Sequence, residues 1–512
     1  MRTLRVLCYA DTTTAVPHCA AAAEMLRVEL GAHIIMLLER GVRIDETLSN
    51  SEIYWRDGLF VPSKHVRNSS EGTNKRKAAA LTSRRIELFG FRNVLARSKL
   101  LRYIYSTIRR LYLILRNPPS LLRQARSWIR RISILAIAAE LIWARQRAKT
   151  LREFLRKIRP DVILLVEDNV ETLSTTVINE GCRQGIPSVI VPFTIPNPLE
   201  PAKFYRHRKL NQVNDFLSRL VVRIFPKWRY RLDGQDLIRV PAFTALALEA
   251  LGQSSPAPWI LNRGRAAKIA LDSESQRDRY VQLGFPVSQL AVVGDIHSAI
   301  LYRAAANRAR LRLELMTKYS FVPDRPLIVC GFPPNQFGGE DDGQFEFSSY
   351  DTLSDAWIES FRSLGNRANV LIRPHPRASA DRFSSFAGGN IRCSMQPTAE
   401  LIPLCDLYVA SISATIRWAI ACGIPVINYD TYRYRYDDYE GVGGVIHVDL
   451  LADFRVQLER FVDDASFAEC VSRKQREVMR RWGVLDDGLS RRFAMLVNEV
   501  TEGVRSRSVS GQ

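Results

Sequence analysis

The sequence predicts an α/β protein in which two Rossmann-like units face each other across a cleft. A basic helical insert interrupts the first unit and helices close the chain. Three observations predict this. Strand-length apolar runs alternate with helix-period segments through both halves. A join of helix, Gly, Ile, Pro and strand occurs at Gly185-Ile-Pro187 and again at Gly423-Ile-Pro425, each time after an apolar strand, a polar loop and a helix. Finally, 512 residues with 46% hydrophobic and 25% charged side chains suffice for two or three full cores.

Taken in order, Arg5–Ala10 reads as a strand and Asp11–Cys19 as a polar loop carrying Thr12-Thr13-Thr14. Ala20–Leu30 reads as a helix and His33–Leu38 as a second strand, with a further short strand within Ile53–Pro62. Lys64–Arg159 departs from the pattern. It holds 25 Lys and Arg against four acids, a net +21, while the whole chain carries +20. The basicity therefore belongs to this insert. Leu101, Ile104, Ile108, Leu111 and Leu115 keep helical spacing, Asn117-Pro-Pro breaks it, and a second basic helix runs from Leu121 through Trp128 to about Arg159. Three readings of residues 64–159 stand open. The helices pack on the core and solvate a basic face, or they lie on an anionic membrane surface with Tyr103, Tyr105, Tyr112 and Trp128 beside the arginines. The third, nucleic acid, is not expected, because no recognition motif accompanies the charge.

The regular pattern then resumes with strand Pro160–Val166, exit Glu167-Asp168-Asn169, helix Glu171–Arg183 and strand Ile186–Pro192. Residues 193–255 hold turns, a basic patch at Lys203–Lys209 and a helix near Phe243–Leu251. Gln253-Ser-Ser-Pro-Ala-Pro258 reads as a linker, which sets the units at 1–252 and 253–449. The second unit is read as strands 268–272, 290–293, 326–330, 369–372, 390–393, 406–410 and 424–428. Helices 274–283, 297–318, 353–364, 399–404 and 414–422 lie between them. Residues 450–512 read as helices packing back across the cleft, with a turn at Trp482–Gly488.

The eight cysteines never come closer than eleven apart, which suits reduced, mostly buried thiols in a cytosolic protein. The apolar start is too short for a signal peptide, and no run reaches the ~18 residues of a membrane span. A cytoplasmic protein, peripheral on the inner face of the cytoplasmic membrane, is expected.

Two places carry chemistry. His375 stands between Pro374 and Pro376 at a strand's carboxyl end, so the backbone sets the direction of its imidazole. Arg373 and Arg377 flank it with guanidinium forks suited to phosphate. Ser411, Ser413 and Thr415 follow the strand 406–410 and open an apolar helix. If that strand neighbours 369–372 in one sheet, both loops form an anion site on one edge. Glu167 and Asp168 leave a first-unit strand towards the same cleft, where a carboxylate can deprotonate a hydroxyl. Plainer roles compete: a capped loop histidine, an N-cap, and acids favoured at a helix start. No GxxxxGK[ST], HExxH, GxSxG or GxGxxG stands at a strand–helix junction. The acidic pairs Asp341-Asp342 and Asp437-Asp438 lack a third ligand at metal spacing, so no dedicated metal site is expected.

These residues give the chain a resemblance to the GT-B superfamily. It is most like the branch shared by UDP-N-acetylglucosamine 2-epimerases, bacterial polysialyltransferases and capsule and teichoic-acid transferases. The carriers are Trp259 to Gly294, Arg373-Pro-His-Pro376, Ser411–Thr415, Gly423-Ile-Pro-Val426 and Trp482–Gly488. The resemblance implies a metal-independent glycosyltransferase with a nucleotide-sugar co-substrate and no cofactor. The donor would be held by Arg373, His375, Arg377, Ser411, Ser413 and Thr415. Glu167 or Asp168 would act as base on a surface-polysaccharide or lipid-linked glycan acceptor. The family's motif of two acids followed by Gly is departed from here, since Asn169 follows Glu167-Asp168. Two alternatives remain: an epimerase, whose histidine-arginine-glutamate cluster is not found, and an inactive membrane-associated scaffold of a polysaccharide assembly complex.

Overall fold

The computed structural model describes residues 3–13, 15–39, 42, 51–55, 133–337, 345–375 and 386–510. The helix read through Leu101–Leu115, the start of the second basic helix, Arg377 and the pair Asp341-Asp342 lie outside the described residues. The rest of that second helix forms Ser133–Ile158.

The first lobe is built on β1 (Arg5–Ala10), β2 (His33–Leu38), β3 (Glu52–Trp55), β4 (Val162–Leu165) and β5 (Ser188–Ile190). A small hairpin of β6 (Arg229–Leu232) and β7 (Gln235–Ile238) stands apart, and β8 (Lys268–Leu271) and β9 (Leu290–Val292) complete the sheet. All seven sheet strands are parallel, in the order β3-β2-β1-β4-β5-β8-β9. The second lobe carries β10 (Leu327–Gly331), β11 (Asn369–Arg373), β12 (Ile391–Cys393), β13 (Leu407–Ala410), β14 (Val426–Tyr429) and β15 (Val445–Val448). These are also parallel, in the order β12-β11-β10-β13-β14-β15. Each sheet therefore runs outward from its first strand, then reverses between β1 and β4 and between β10 and β13. Such a reversal opens a crevice at the strands' carboxyl ends.

Sheet membership corrects the expected boundary at residue 252. Val189 pairs with Lys268 and Ile269 with Leu290, so the strands read as opening the second unit finish the first. The Ser- and Pro-rich stretch after Gln253 is a surface loop of the first lobe, anchored where buried Gln253 donates to Glu180 at 2.6 Å. The first helix begins at Ala15 rather than Ala20. Pro17 lies in its first turn, where no N–H is owed, and the Thr12 hydroxyl accepts from Ala15 N–H at 3.2 Å. β11 and the strand at 406–410, now β13, are not neighbours, because β10 lies between them.

The repeated Gly-Ile-Pro join forms the same turn twice. Gly185 and Gly423 both adopt φ of 70°. Ile186 N–H bonds back to Gly181 O at 2.9 Å, and Ile424 N–H to Ala419 O at 2.9 Å. Glycine takes this left-handed conformation without the Cβ clash that costs other residues about 1–2 kcal/mol.

The chain crosses between lobes after Val293 and returns through Gly483–Gly488. The two crossings run side by side, since Arg492 Nε donates to Val293 O at 2.7 Å and its guanidinium pairs with Asp486. The returning helix Leu489–Ser510 then lays Phe493, Leu496, Val497 and Val500 on the alanine-rich face of Ala15–Leu30. Among the described residues no helix is long and apolar enough to cross a membrane, and all eight cysteines are free.

One buried guanidinium fastens the lobes. Arg417, on the helix Ile416–Ala421 of the second lobe, lies 3.0 Å from Asp272 beyond β8 and 3.2 Å from Asp295 beyond β9. Arg417 and Asp272 are buried, and the Asp295 side chain is 9% exposed. Burial drives the Asp272 carboxyl up despite the cation, while His297 and Arg417 hold Asp295 below the carboxylate range. Trp418 Nε1 donates to Asp295 at 3.1 Å. Replacing Arg417 with Ala removes the one guanidinium that Asp272 and Asp295 share and is expected to cost about 3–5 kcal/mol in thermal unfolding. Asp272→Asn added to that variant should recover part of the loss.

Candidate functional site

Contacts from the exits of β5, β8 and β9 to the exits of β13 and β14 set the two carboxyl edges face to face. Besides Arg417, Asn197 Nδ2 donates to Asp438 at 2.9 Å and Arg279 forks onto Asp437 at 2.7 and 3.1 Å. The acidic pair Asp437-Asp438 is thus occupied in joining the lobes. Among the described residues no group of three or more His, Cys, Asp or Glu side chains could hold a metal ion.

At the first lobe's crevice Asp11 follows β1 and Glu167 follows β4, on adjacent strands. Loss of solvent, first, and the Asp11 charge, second, push the Glu167 carboxyl up to about 7. Asn169 Nδ2 donates to it at 3.2 Å, and Arg239 pulls in the opposite direction. Asp11 is itself raised by burial, and its Oδ2 is buried without a hydrogen-bond partner. Arg239 reaches the crevice from beyond β7. Its guanidinium pairs with Glu171, lies 5.2 Å from the Tyr205 ring centre, and is held down to about 10 by burial. Tyr205 donates to the other Glu171 oxygen at 2.5 Å. Asp11, Arg239, Glu171 and Tyr205 were not singled out from the sequence. For Asp11 a signal existed, a lone carboxylate ending the first strand, whereas Arg239 comes from a hairpin that the sequence does not announce.

Asp168 belongs elsewhere. It is buried, with Oδ1 accepting from Thr175 at 2.5 Å and its backbone exchanging bonds with Asn262. Its Oδ2 would lie 1.6 Å from a Cβ at Gly264, so the carboxyl packs against that glycine rather than into the crevice. The expectation that Asp168 faces the cleft is corrected. Successive side chains of an extended segment point to opposite sides, and Glu167 takes the open one.

The second lobe's crevice lies between β10 and β13. Gly331 ends β10 in register with Arg373 and Ala410, and a Cβ there would meet the Tyr408 hydroxyl at 2.4 Å. That hydroxyl bonds Thr415 at 2.6 Å and Thr415 bonds Ser413 at 2.8 Å, so these two expected ligands form one chain. Ser411 Oγ differs, being buried and unpartnered at the strand's exit. The next residue, Ile412, takes φ of 43°, held by its N–H bond to Asn428 at 2.9 Å. Arg373 does not present the expected fork. Its Nε donates to Gln396 O at 2.7 Å and NH1 to Pro374 O, so it braces the loops beyond β11 and β12. Half-buried His375 stands just past β11, two strand spacings or about 10 Å from β13. A single phosphate cannot touch both exits; a larger phosphorylated ligand can.

Two cavities of about 570 and 580 Å³ lie outside the cleft, one beside the helix Ser133–Ile158 and one between Ser298–Tyr319 and the loop 396–404.

No protein-family model matches the chain, and no curated protein does. Solved structures align along almost its whole length. A UDP-GlcNAc 2-epimerase from Neisseria meningitidis bound to UDP-GlcNAc is 9% identical, over 97% of this chain and 99% of that one, with a TM-score of 0.46. The calicheamicin glycosyltransferase CalG4 is 12% identical over 98% and 100%, TM-score 0.49. An H548A form of the wall teichoic acid polymerase TagF is 9% identical over 99% and 90%, TM-score 0.48. The arrangement of two facing Rossmann-like lobes rests on the strand order and register above.

Because burial lifts Asp168 from 3.8 to about 6, the folded protein takes up a proton as pH falls through that window. Its charge is a stability penalty in full above pH 6. Asp168→Asn should therefore be most stable relative to the parent at pH 7 and lose that advantage progressively as pH falls from about 6 towards 3.8 in urea unfolding, with the crevice chemistry intact.

Proposed function

We propose that the protein is a glycosyltransferase that moves a sugar from a nucleotide-sugar to a hydroxyl of a surface-polysaccharide or lipid-linked glycan, without a metal. The observation that carries this reading is Glu167. Its carboxyl stands at one switch-point crevice with a pKa of about 7, opposite a second crevice that offers an unpartnered Ser411 hydroxyl. A base poised near the working pH combines the deprotonated form with useful proton affinity.

In this reading the donor's phosphate lies along the β10/β13 crevice, between Ser411 and the His375 exit, with its sugar towards the first lobe. The acceptor oxygen forms the new bond to the anomeric carbon as its proton passes to Glu167. The bond to the donor phosphate breaks with its electron pair leaving on phosphate oxygen. Ser411 offers a hydrogen bond to that growing charge, and His375 one to the far end of the phosphorylated leaving group. Within the same crevice, Arg239 sits close enough to Glu167 to stabilise its ionised form.

Screening CMP, UDP, GDP and CDP for thermal stabilisation identifies the nucleotide, because a bound ligand raises the melting point by mass action. With the matching donor, Glu167→Gln should lower transfer by about 10²–10⁴-fold while leaving the donor-induced melting shift in place. The parent's rate should rise with pH through about 7 as Glu167 loses its proton. EDTA should leave the rate unchanged. An unaltered rate in Glu167→Gln, or conversion of the donor with no acceptor present, overturns the proposal.

A further inference from the structure

The helix Phe216–Ile224 is turned against the usual order of a surface helix. Its inward side carries Leu217, Ser218, Val221 and Val222, packed over Trp228 and the helix Ala242–Ala250. Its outward side carries Phe216, Leu220 and Ile224 at fourfold spacing, with Phe216 79% and Ile224 55% exposed. Arg219 and Arg223 border the same stripe. Phe204, 61% exposed, and Leu210 are further exposed apolar side chains in the preceding segment, and the Arg208 guanidinium covers the Phe204 ring at 4.3 Å.

Charge decides what can cover this surface. Residues 203–231 hold nine Lys and Arg against one acid, Asp215, and with Arg206, Lys227 and Arg229 paired to Asp233, Glu249 and Asp236 beyond that segment, six remain. Segment 64–132 holds eighteen against two, so it is repelled rather than attracted, and a second copy would bring like charge to like. Apolar side chains bordered by arginines match the boundary between headgroups and acyl chains of an anionic bilayer. A second exposed pair of this kind, Trp143 with Arg147 at 5.2 Å, lies on the helix Ser133–Ile158, which packs on the same Ala242–Ala250 helix.

We infer that the helix face formed by Phe216, Leu220 and Ile224 docks the first lobe on an anionic lipid bilayer. Membrane contact is one of the readings that the sequence leaves open for residues 64–159; this surface lies elsewhere, in the segment between β5 and β7. It stands independently of the chemistry assigned to the cleft.

Flotation of the full chain with phosphatidylglycerol-containing vesicles and with pure phosphatidylcholine vesicles tests it. The parent should float with the anionic vesicles and lose them as salt is raised. The triple variant Phe216→Ser, Leu220→Ser, Ile224→Ser should bind about tenfold more weakly or worse, and Arg223→Glu should be weakened in the same direction. Both should keep the parent's melting point and nucleotide-induced shift. The inference is overturned if either the triple variant or Arg223→Glu floats as the parent does. Equal flotation of the parent on neutral vesicles overturns it too, as does a parent dimer that the triple variant dissolves.

Discussion

Arg417 leaves the second lobe at the start of a six-residue helix and is met by carboxylates of the first lobe alone, Asp272 beyond β8 and Asp295 beyond β9. At about 3 Å and an effective dielectric near 20 each attraction is roughly 5 kcal/mol, and desolvating the ions takes back several kcal/mol apiece. Net stabilisation is small, so the value of the cluster is positional: it forms in one relative placement of the lobes. His18, buried beside it, is kept neutral by burial, its pKa lowered to about 3, and so adds no second cation. The Asp437 and Asp438 contacts fasten the far side of the same edge. With both ends held, the β1/β4 crevice faces the β10/β13 crevice.

The two crevices differ in electrostatics. The first concentrates Asp11, Glu167, Glu171 and Arg239 where solvent is scarce, and that scarcity is what lifts a carboxyl to about 7. The second presents hydroxyls and backbone, with Arg373 turned aside to brace loops. In the proposed reaction proton uptake would belong to one lobe and anion binding to the other, and the chemistry would need both together.

Much of the architecture was legible because parallel strands are covered on both faces and read as unbroken apolar runs. β1, β2 and β10 to β14 were placed this way, and the twin Gly-Ile-Pro joins exposed the duplication. The misplaced boundary has a physical cause. A Ser- and Pro-rich loop looks like a linker, yet sheet membership is settled by pairing between Val189 and Lys268, far apart in sequence. At the site, Glu167 and Asp168 were equivalent on paper; which of two successive side chains meets the crevice depends on Thr175, Asn262 and Gly264. Arg373 was visible as a cation, but the Gln396 and Pro374 carbonyls that occupy it were not. Arg239 arrives from the β6–β7 hairpin, whose strands are short and half-exposed and leave little period to read.

The packing of Leu489–Ser510 on Ala15–Leu30 fixes an order of events during synthesis. The second lobe's sheet is complete in the chain by Val448 and its buried core by Phe461, so that core can close while the ribosome is still working. The first lobe waits. The face that carries Val16, Ala20 and Ala23 stays wet until Phe493, Val497 and Val500 have emerged. The half of the protein that begins first is the half that finishes last, and its early apolar surface is the part most in need of shelter from a chaperone.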